Sequence, residues 1–316
     1  MAFGTAHLFL RPGDEAASQA LLLAALALPV HGVDTAPSYG HGRSEARVGT
    51  ALERGALAAG AARPLVTTKV GLEPTPDQGV GARAGSQVVR RLPPGLEGRL
   101  RARLGRPAGG LARGVLDAGL VRASVARSLR RLGHVDRLVL HEARPEDVTD
   151  EVLGVLAGHL AAGDVGALGV ATQDSLTAAV VARAPELLTV AHVTASVLRE
   201  PVPLPPSVTV RVGHGLLGPA GADLRRLRGC LAADAGLAER WRAAVAGTAW
   251  EGPDGLAHAV LGLAAARGST DVIVATSRPA GLAGTVAAAG QAPPAGHAVS
   301  QALDALMRAA TTGTVA

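Results

Sequence analysis

The feature that most restricts what this chain can fold into is an alternation. Short runs rich in Val and Leu recur, each followed by a polar turn and then by a longer Ala/Leu segment with helical spacing. The runs predict strands at Gly32–Thr35, Leu65–Val70, Asp136–His141, Val165–Val170, Leu188–Val193, Val208–Val212 and Asp271–Ala275. Between them, helices are predicted at Ser44–Ala59, Arg122–Leu132, Thr149–Ala162, Ser175–Ala184 and Leu256–Arg267. Strands separated by helices form parallel βαβ units. Strands apolar along their whole length suit a sheet covered on both faces. The expected fold is therefore α/β, a (β/α)8 barrel in which residues 1–316 make a single domain. An open doubly wound sheet would share the alternation. The regular procession of units over about 250 residues favours the barrel, as does the lack of a Gly-x-Gly-x-x-Gly turn after any early strand. An eighth strand, sought after Thr285, is not legible.

One segment breaks the rhythm, from Glu73 to about Leu120, after the second of these strands. It is dense in Gly, Pro and Arg, including Arg83, Arg90, Arg91, Arg99, Arg101, Arg103, Arg106 and Arg113. It leaves the C-terminal end of a strand, where barrel active sites lie, and reads as a substrate-side loop. A mobile insert that touches nothing is the plainer alternative.

Net charge is +5 and the isoelectric point near 10.7. A basic balance can mean nucleic acid. Here Lys69 is the only lysine and the other thirty basic residues are arginine, which by itself raises the isoelectric point. The chain also holds only two Phe, two Trp and one Tyr, too few for base-stacking platforms, so no nucleic-acid partner is expected. Cys230 is the sole cysteine, which rules out an internal disulfide or a cysteine-built zinc site. The opening residues lack the order of a signal peptide, and the apolar run Ala20–Val30 is shorter than the roughly 20 residues a bilayer needs. A cytoplasmic location with no membrane partner is the expectation.

Four polar residues fall at or just past the ends of the first three predicted strands: Asp34 and Tyr39, then Lys69, then His141. In a parallel barrel those ends converge. A buried ammonium needs a counterion, which Asp34 supplies. A phenol beside the ammonium is expected to lose its proton more easily than its usual pKa of about 10 allows. Tyr39 would then serve as general acid and base, with His141 hydrogen-bonding a carbonyl oxygen. Each of the four, taken alone, reads more readily as a turn cap, a loop residue, a solvated strand end or a satisfied core histidine. Taken together they are harder to dismiss. A chain that spells every other cation as arginine places its only lysine, and its only tyrosine, where the two would meet.

These residues carry a resemblance. Gly32-Val33-Asp34-Thr35-Ala36-Pro37-Ser38-Tyr39-Gly40, followed by Gly42-Arg43-Ser44-Glu45 and Val48-Gly49-Thr50-Ala51-Leu52, resembles the Asp-Thr-Ala-x-x-Tyr-Gly signature of the aldo/keto reductases. Thr68-Lys69-Val70 is similar to that family's lysine strand. Ser124–Gly133 and Asp136–His141 are similar to the segment leading into its histidine, and Gly163–Val170 to its fourth strand. The opening Gly4-Thr5-Ala6 and the run Asp117–Val121 look most like the aldose or galactose dehydrogenase branch. The resemblance implies reversible hydride transfer between NADP(H), with NAD(H) as the alternative, and a small-molecule carbonyl or alcohol: aldehyde, ketone or sugar. It implies Tyr39 as acid/base, Lys69 and Asp34 as its tuning pair, and His141 as the carbonyl-placing group.

The cofactor contacts depart from the family pattern. Ala171-Thr172 stands where the family has Ser-Asn, His192 where it has glutamine, and Gly284-Thr285 where it has an acidic-Asn pair. Thr276, Ser277 and Arg278 fit a phosphate site at a helix start, and Arg278 favours NADP over NAD. Thr172, His192, Thr276, Ser277 and Arg278 are thus the implied cofactor residues. The departures leave two alternatives open. One is a catalytically weak or inactive barrel kept as a cofactor-binding regulatory or interaction protein; the other is an arginine-rich binder of nucleic acid or acidic ligands acting through residues 83–113. His31, His41, His134, His159, His192, His214, His258 and His297 show no metal-ligand spacing, and Trp241 and Trp250 read as packing residues.

Overall fold

The computed structural model describes residues 1–10, 13–55, 62–74, 111–113, 116–276, 279 and 281–312. Eight parallel strands close into a barrel: β1 (Ala2–Gly4), β2 (Gly32–Asp34), β3 (Leu65–Val70), β6 (Val135–His141), β7 (Val165–Ala171), β8 (Leu188–Thr194), β9 (Val210–His214) and β10 (Asp271–Val274). A separate antiparallel ribbon joins β4 (Leu72–Pro74) to β5 (Leu111–Arg113).

The missing strand is at the opposite end of the chain from where the sequence reading sought it. β1 pairs with β2 on one side and β10 on the other, and so closes the barrel. Beyond Thr285 the chain is helical instead, at Leu282–Ala288 and Ala298–Thr312. Three residues, Ala2-Phe3-Gly4, are too few to show a period of two, and the neighbouring strands impose the extended state. The arginine-rich segment therefore leaves the third barrel strand rather than the second. Its central part, residues 75–110, lies outside the described residues, as does the end of the expected helix Ser44–Ala59, whose described part is Arg43–Glu53.

Inside the barrel, Val139, Val190 and Val212 pack together with Ala167, Ala171, Val210 and Ile273 around them. Toward the N-terminal ends of the strands, Asp271 accepts hydrogen bonds from Arg137 Nη1 (3.0 Å) and His31 Nε2 (2.8 Å). Burial pushes the Asp271 carboxyl up, but His31, the N-terminal ammonium and Arg137 outweigh it and hold the group well below the usual carboxylate range. Helices start on side-chain caps: Asp117 accepts from Leu120 N at 2.7 Å, Thr149 from Val152 N at 3.4 Å and Asp234 from Leu237 N at 2.9 Å. Trp241 is buried in the outer core cluster and Trp250 packs against it, both as packing residues. No helix among the described residues is long and apolar enough to cross a membrane.

One buried charge locks the helical layer to the barrel wall. Glu45, on the helix Arg43–Glu53, is fully buried. Its carboxylate accepts from Thr68 Oγ1 on β3 (2.8 Å), and from Ser128 Oγ (2.7 Å) and Arg131 Nη1 (3.0 Å) on the helix Ala118–Leu132. The two helices touch backbone to backbone at Gly49, where a Cβ would fall 1.7 Å from the Arg131 carbonyl oxygen. Only glycine fits there. Glu45→Ala is expected to lower the urea-unfolding free energy by about 3 kcal/mol, since it strands three donors at a buried site. A variant with the wild-type midpoint would show that Glu45 does not hold these elements together.

Candidate active site

The C-terminal ends of the parallel strands gather the expected residues on one face. Asp34 ends β2, Lys69 sits one residue before the end of β3, and His141 ends β6. Register makes Asp34 a neighbour of Thr67, so the Lys69 side chain, two residues further along, reaches back over the carboxylate. Lys69 Nζ donates to Asp34 Oδ1 at 2.6 Å and to the Thr35 carbonyl oxygen at 3.0 Å, with both charged groups buried. Tyr39 stands above this pair. The ammonium lies 4.9 Å from the phenol ring centroid, and the His141 ring meets the Tyr39 ring edge-on, centroids 6.0 Å apart at 86°.

The turn carrying Tyr39 is held from behind. Tyr39 opens the 3-10 turn Tyr39–Gly42, and Arg43 pins that turn by donating from Nε to Gly40 O (2.9 Å) and from Nη2 to Phe9 O (2.6 Å). Phe9 is fully buried with φ +59°, and a Cβ on Gly40 would fall 2.8 Å from its Cβ. A side chain at residue 40 would push the phenol off its place.

Electrostatics correct one expectation. The Tyr39 phenol is pushed above its ordinary value of 10 rather than below it. Burial is the largest cause and raises it, Lys69 pulls it down, and Asp34 and Glu142 raise it again. The sequence reading weighed the ammonium but not the desolvation that comes with its position. Burial also works against the Lys69 ammonium, but Asp34 and Tyr39 more than compensate, and Lys69 ends above its usual value and charged. Burial raises the Asp34 carboxyl, and Lys69 opposes that shift. His141 is pulled down to about 3 by burial and by Lys69, so its imidazole is neutral at physiological pH.

The implied cofactor residues are only partly gathered at this face. His192, on β8, is buried beneath the mouth with Nδ1 3.8 Å from Asp34 Oδ2, and burial holds it neutral. Thr172 is buried just past β7, but its hydroxyl donates to Ala143 O at 2.7 Å, leaving only lone pairs for a ligand. Thr276 is half-buried two residues beyond β10. Ser277 and Arg278 lie outside the described residues. Buried polar atoms with no hydrogen-bond partner among the described residues include Asp34 Oδ2, His141 Nδ1 and His192 Nε2 here, and Thr35 Oγ1 and Ser38 Oγ on the chain that leads from Asp34 to Tyr39. Such atoms are costly to leave unpaired, by about 1–3 kcal/mol each, so the site suits a polar ligand. The amide of a nicotinamide fits that demand.

Sequence reasoning missed two contributors. His214 ends β9, half-buried at the same mouth, with burial holding its imidazole down while Asp174 and Asp34 pull it up. Its signal is present in the sequence, a polar residue closing an apolar strand, though the sequence reading treats it only as a possible metal ligand. The Thr35 carbonyl that holds Lys69 carries no side-chain signal at all. Among the described residues no group of His, Cys, Asp and Glu could hold a metal ion.

Tyr39 is the only tyrosine, so its ionisation is readable directly from phenolate absorbance. The titration midpoint is expected above 10 in the folded protein, and higher still in Lys69→Met, because the ammonium is the group that lowers it. A midpoint below 10 would restore the sequence-based expectation.

Comparison with known proteins agrees with this geometry. The sequence model described as "Aldo/keto reductase family" matches residues 1–197, more than half of the chain. No curated protein matches the sequence. Among solved structures, the glycerol dehydrogenase of Gluconobacter oxydans is similar with a TM-score of 0.65 at 18% identity, covering 97% of this chain and 91% of that one. An aldo-keto reductase from Klebsiella pneumoniae, solved in complex with NADPH, gives 0.62 at 18% identity, covering 98% and 90%. An aldo-keto reductase from Bacillus halodurans gives 0.60 at 17% identity, covering 97% and 91%. At these identities the structural likeness speaks for the barrel, and the family rests on the sequence match: the chain belongs to the aldo/keto reductase family, whose members are nicotinamide-dependent oxidoreductases.

Proposed function

We propose that this protein, acting as one barrel domain in the cytoplasm, is an NADP(H)-dependent oxidoreductase interconverting a small carbonyl compound and its alcohol, with Tyr39 as the general acid/base. The observation that carries the reading is the buried Asp34–Lys69 pair beneath the Tyr39 phenol, with a neutral His141 beside it. The nicotinamide cofactor supplies or accepts the hydride. What the chain itself must do is handle the oxygen of the substrate. In reduction, negative charge develops on the carbonyl oxygen as the carbon receives the hydride. Tyr39, protonated at neutral pH, gives its proton to that oxygen, and the Lys69 ammonium stabilises the phenolate left behind. A neutral imidazole at His141 offers an N–H to the same oxygen without adding a positive charge beside Lys69.

Asp34 keeps Lys69 charged and in place. His192 and the lone pairs of Thr172 would face the nicotinamide amide, while Thr276, Ser277 and Arg278 would hold the adenosine phosphate end and favour NADP over NAD. The reading assigns no nucleic-acid or membrane partner.

Titration of the purified protein with NADPH and NADH, followed by cofactor fluorescence, tests it. Saturable NADPH binding is expected, weakened in Arg278→Ala and kept in Tyr39→Phe, while Tyr39→Phe loses about 100-fold or more of carbonyl reduction. Reduction should hold steady with rising pH until the phenol ionises, above 10, and then fall. No binding of either cofactor at millimolar concentration would favour the inactive, interaction-protein reading.

A further inference from the structure

We propose that Arg199, Arg211 and Arg267 form a binding site for a single chloride ion on the outer wall of the barrel. The reason begins with a connection that does not become a helix. Every other link between consecutive barrel strands carries one, but residues 195–209, which join β8 to β9, carry none. Pro201, Pro203, Pro205 and Pro206 fall within it, and a proline in a helix interior removes a donor and clashes with the preceding turn. The carbonyls of such a segment have no helical partners and take donors from elsewhere. Two arginines supply them. Arg267, just past the helix Gly255–Ala266, donates from Nη1 to Val197 O at 2.9 Å, and Arg211, on β9, donates from Nη2 to Val202 O. Arg211 lies between Val210 and Val212, which pack in the barrel interior, so its side chain points outward, toward the connection.

This arrangement gathers positive charge without a counterion. Arg199, on the connection itself, lines the same cleft as Arg211 and Arg267. Arg127, Arg131 and Arg137 are half-buried like Arg211, and they face Glu73, Glu45 and Asp271, while Arg43 is used to pin the turn that carries Tyr39. None of Arg199, Arg211 and Arg267 pairs with a carboxylate among the described residues. Glu200 is the one carboxylate on the rim of the cleft; it is exposed and meets none of the three. A guanidinium has five donors, so Arg211 and Arg267 keep donors to spare while the two carbonyls hold them in place. Like charges in one cleft repel, and a half-buried charge without a partner adds a desolvation cost. An anion between them relieves both.

The available space selects the anion. The cleft holds about 10 Å³ of open volume, room for one water-sized particle. Chloride is of that size, and a phosphate group is too large. The Ser196 hydroxyl, also on the cleft, is taken by Asp223 and by Leu198 N, so the guanidiniums alone do the recognising.

Thermal unfolding in sodium chloride against sodium gluconate, at equal ionic strength, tests the site. Chloride should raise the midpoint saturably, by about 2–4 °C at the plateau, because a ligand that binds only the folded state stabilises it. Arg211→Gln and Arg267→Gln should each abolish the chloride increment. Arg199→Gln, at an exposed side chain, should leave the gluconate midpoint unchanged and raise the half-saturating chloride concentration about tenfold. That variant carries the test if the other two fail to fold. A bromide-soaked crystal should show an anomalous peak among the three guanidiniums. Equal wild-type midpoints in chloride and gluconate would overturn the proposal, as would a chloride increment unchanged in Arg199→Gln. A larger increment from phosphate that Arg211→Gln removes would overturn the choice of chloride and assign the cleft to an oxyanion.

Discussion

A lysine and an aspartate buried together, 2.6 Å apart, are the constraint around which the rest of this molecule is arranged. Taking both ions out of water costs several kcal/mol each, and their attraction offsets this only when the geometry is good and the remaining donors and acceptors are met. Asp34 Oδ1 and the Thr35 carbonyl meet two of the three ammonium protons, and the Tyr39 ring lies against the same nitrogen. The register of β2 against β3 makes this possible, since a slip of one residue would turn Lys69 outward into the helical layer. An ion pair is thus tied to the closure of the barrel itself.

The same strand fixes the outside. Thr68 and Lys69 are consecutive and point to opposite faces of β3. Lys69 goes in to Asp34 and Thr68 goes out to the fully buried Glu45. Glu45 gathers Ser128 and Arg131 from the next helix, and Gly49 lets the two helices approach until a methyl group would not fit. Inner and outer polar clusters therefore pull on adjacent residues of one short strand. Displacing the helix pair would shift Lys69, and with it the phenol above. At the other end of the barrel, Asp271 with Arg137 and His31 closes the floor, so polar contacts cap a small aliphatic interior made of Val139, Val190 and Val212.

How far the sequence reaches follows from these scales. Leu65–Val70 is found in the structure with the predicted bounds, because six residues rich in β-branched side chains have room to declare themselves. The residues at strand ends were also legible, since parallel topology alone brings them together. Ala2–Gly4 was not, because three residues carry no period and their extended state comes from β2 and β10. The helices Ala222–Ala233 and Ala235–Val245 carry regular apolar stripes, Leu224, Leu227 and Cys230 in one and Leu237, Trp241 and Val245 in the other, set among arginines and small residues. The direction of the Tyr39 shift was misjudged because proximity of charge can be read from a motif, whereas the depth of burial belongs to the assembled barrel.

That depth also decides which group can exchange a proton. The pair of Asp34 and Lys69 is balanced in charge, so a proton on any of the three nearby imidazoles would add an uncompensated cation beside an ammonium in a poorly solvated space. Burial and Lys69 both act against it, and His141, His192 and His214 all lie below the ordinary histidine value. The carboxylate cannot substitute, because releasing Lys69 would leave the ammonium without its counterion. The phenol differs from all of these. Losing its proton creates a negative charge next to Lys69, which pulls the phenol down, although burial, Asp34 and Glu142 together leave it above its ordinary value of 10. In the proposed reaction acid/base work would therefore fall to Tyr39, while burial holds all three imidazoles below the ordinary histidine value.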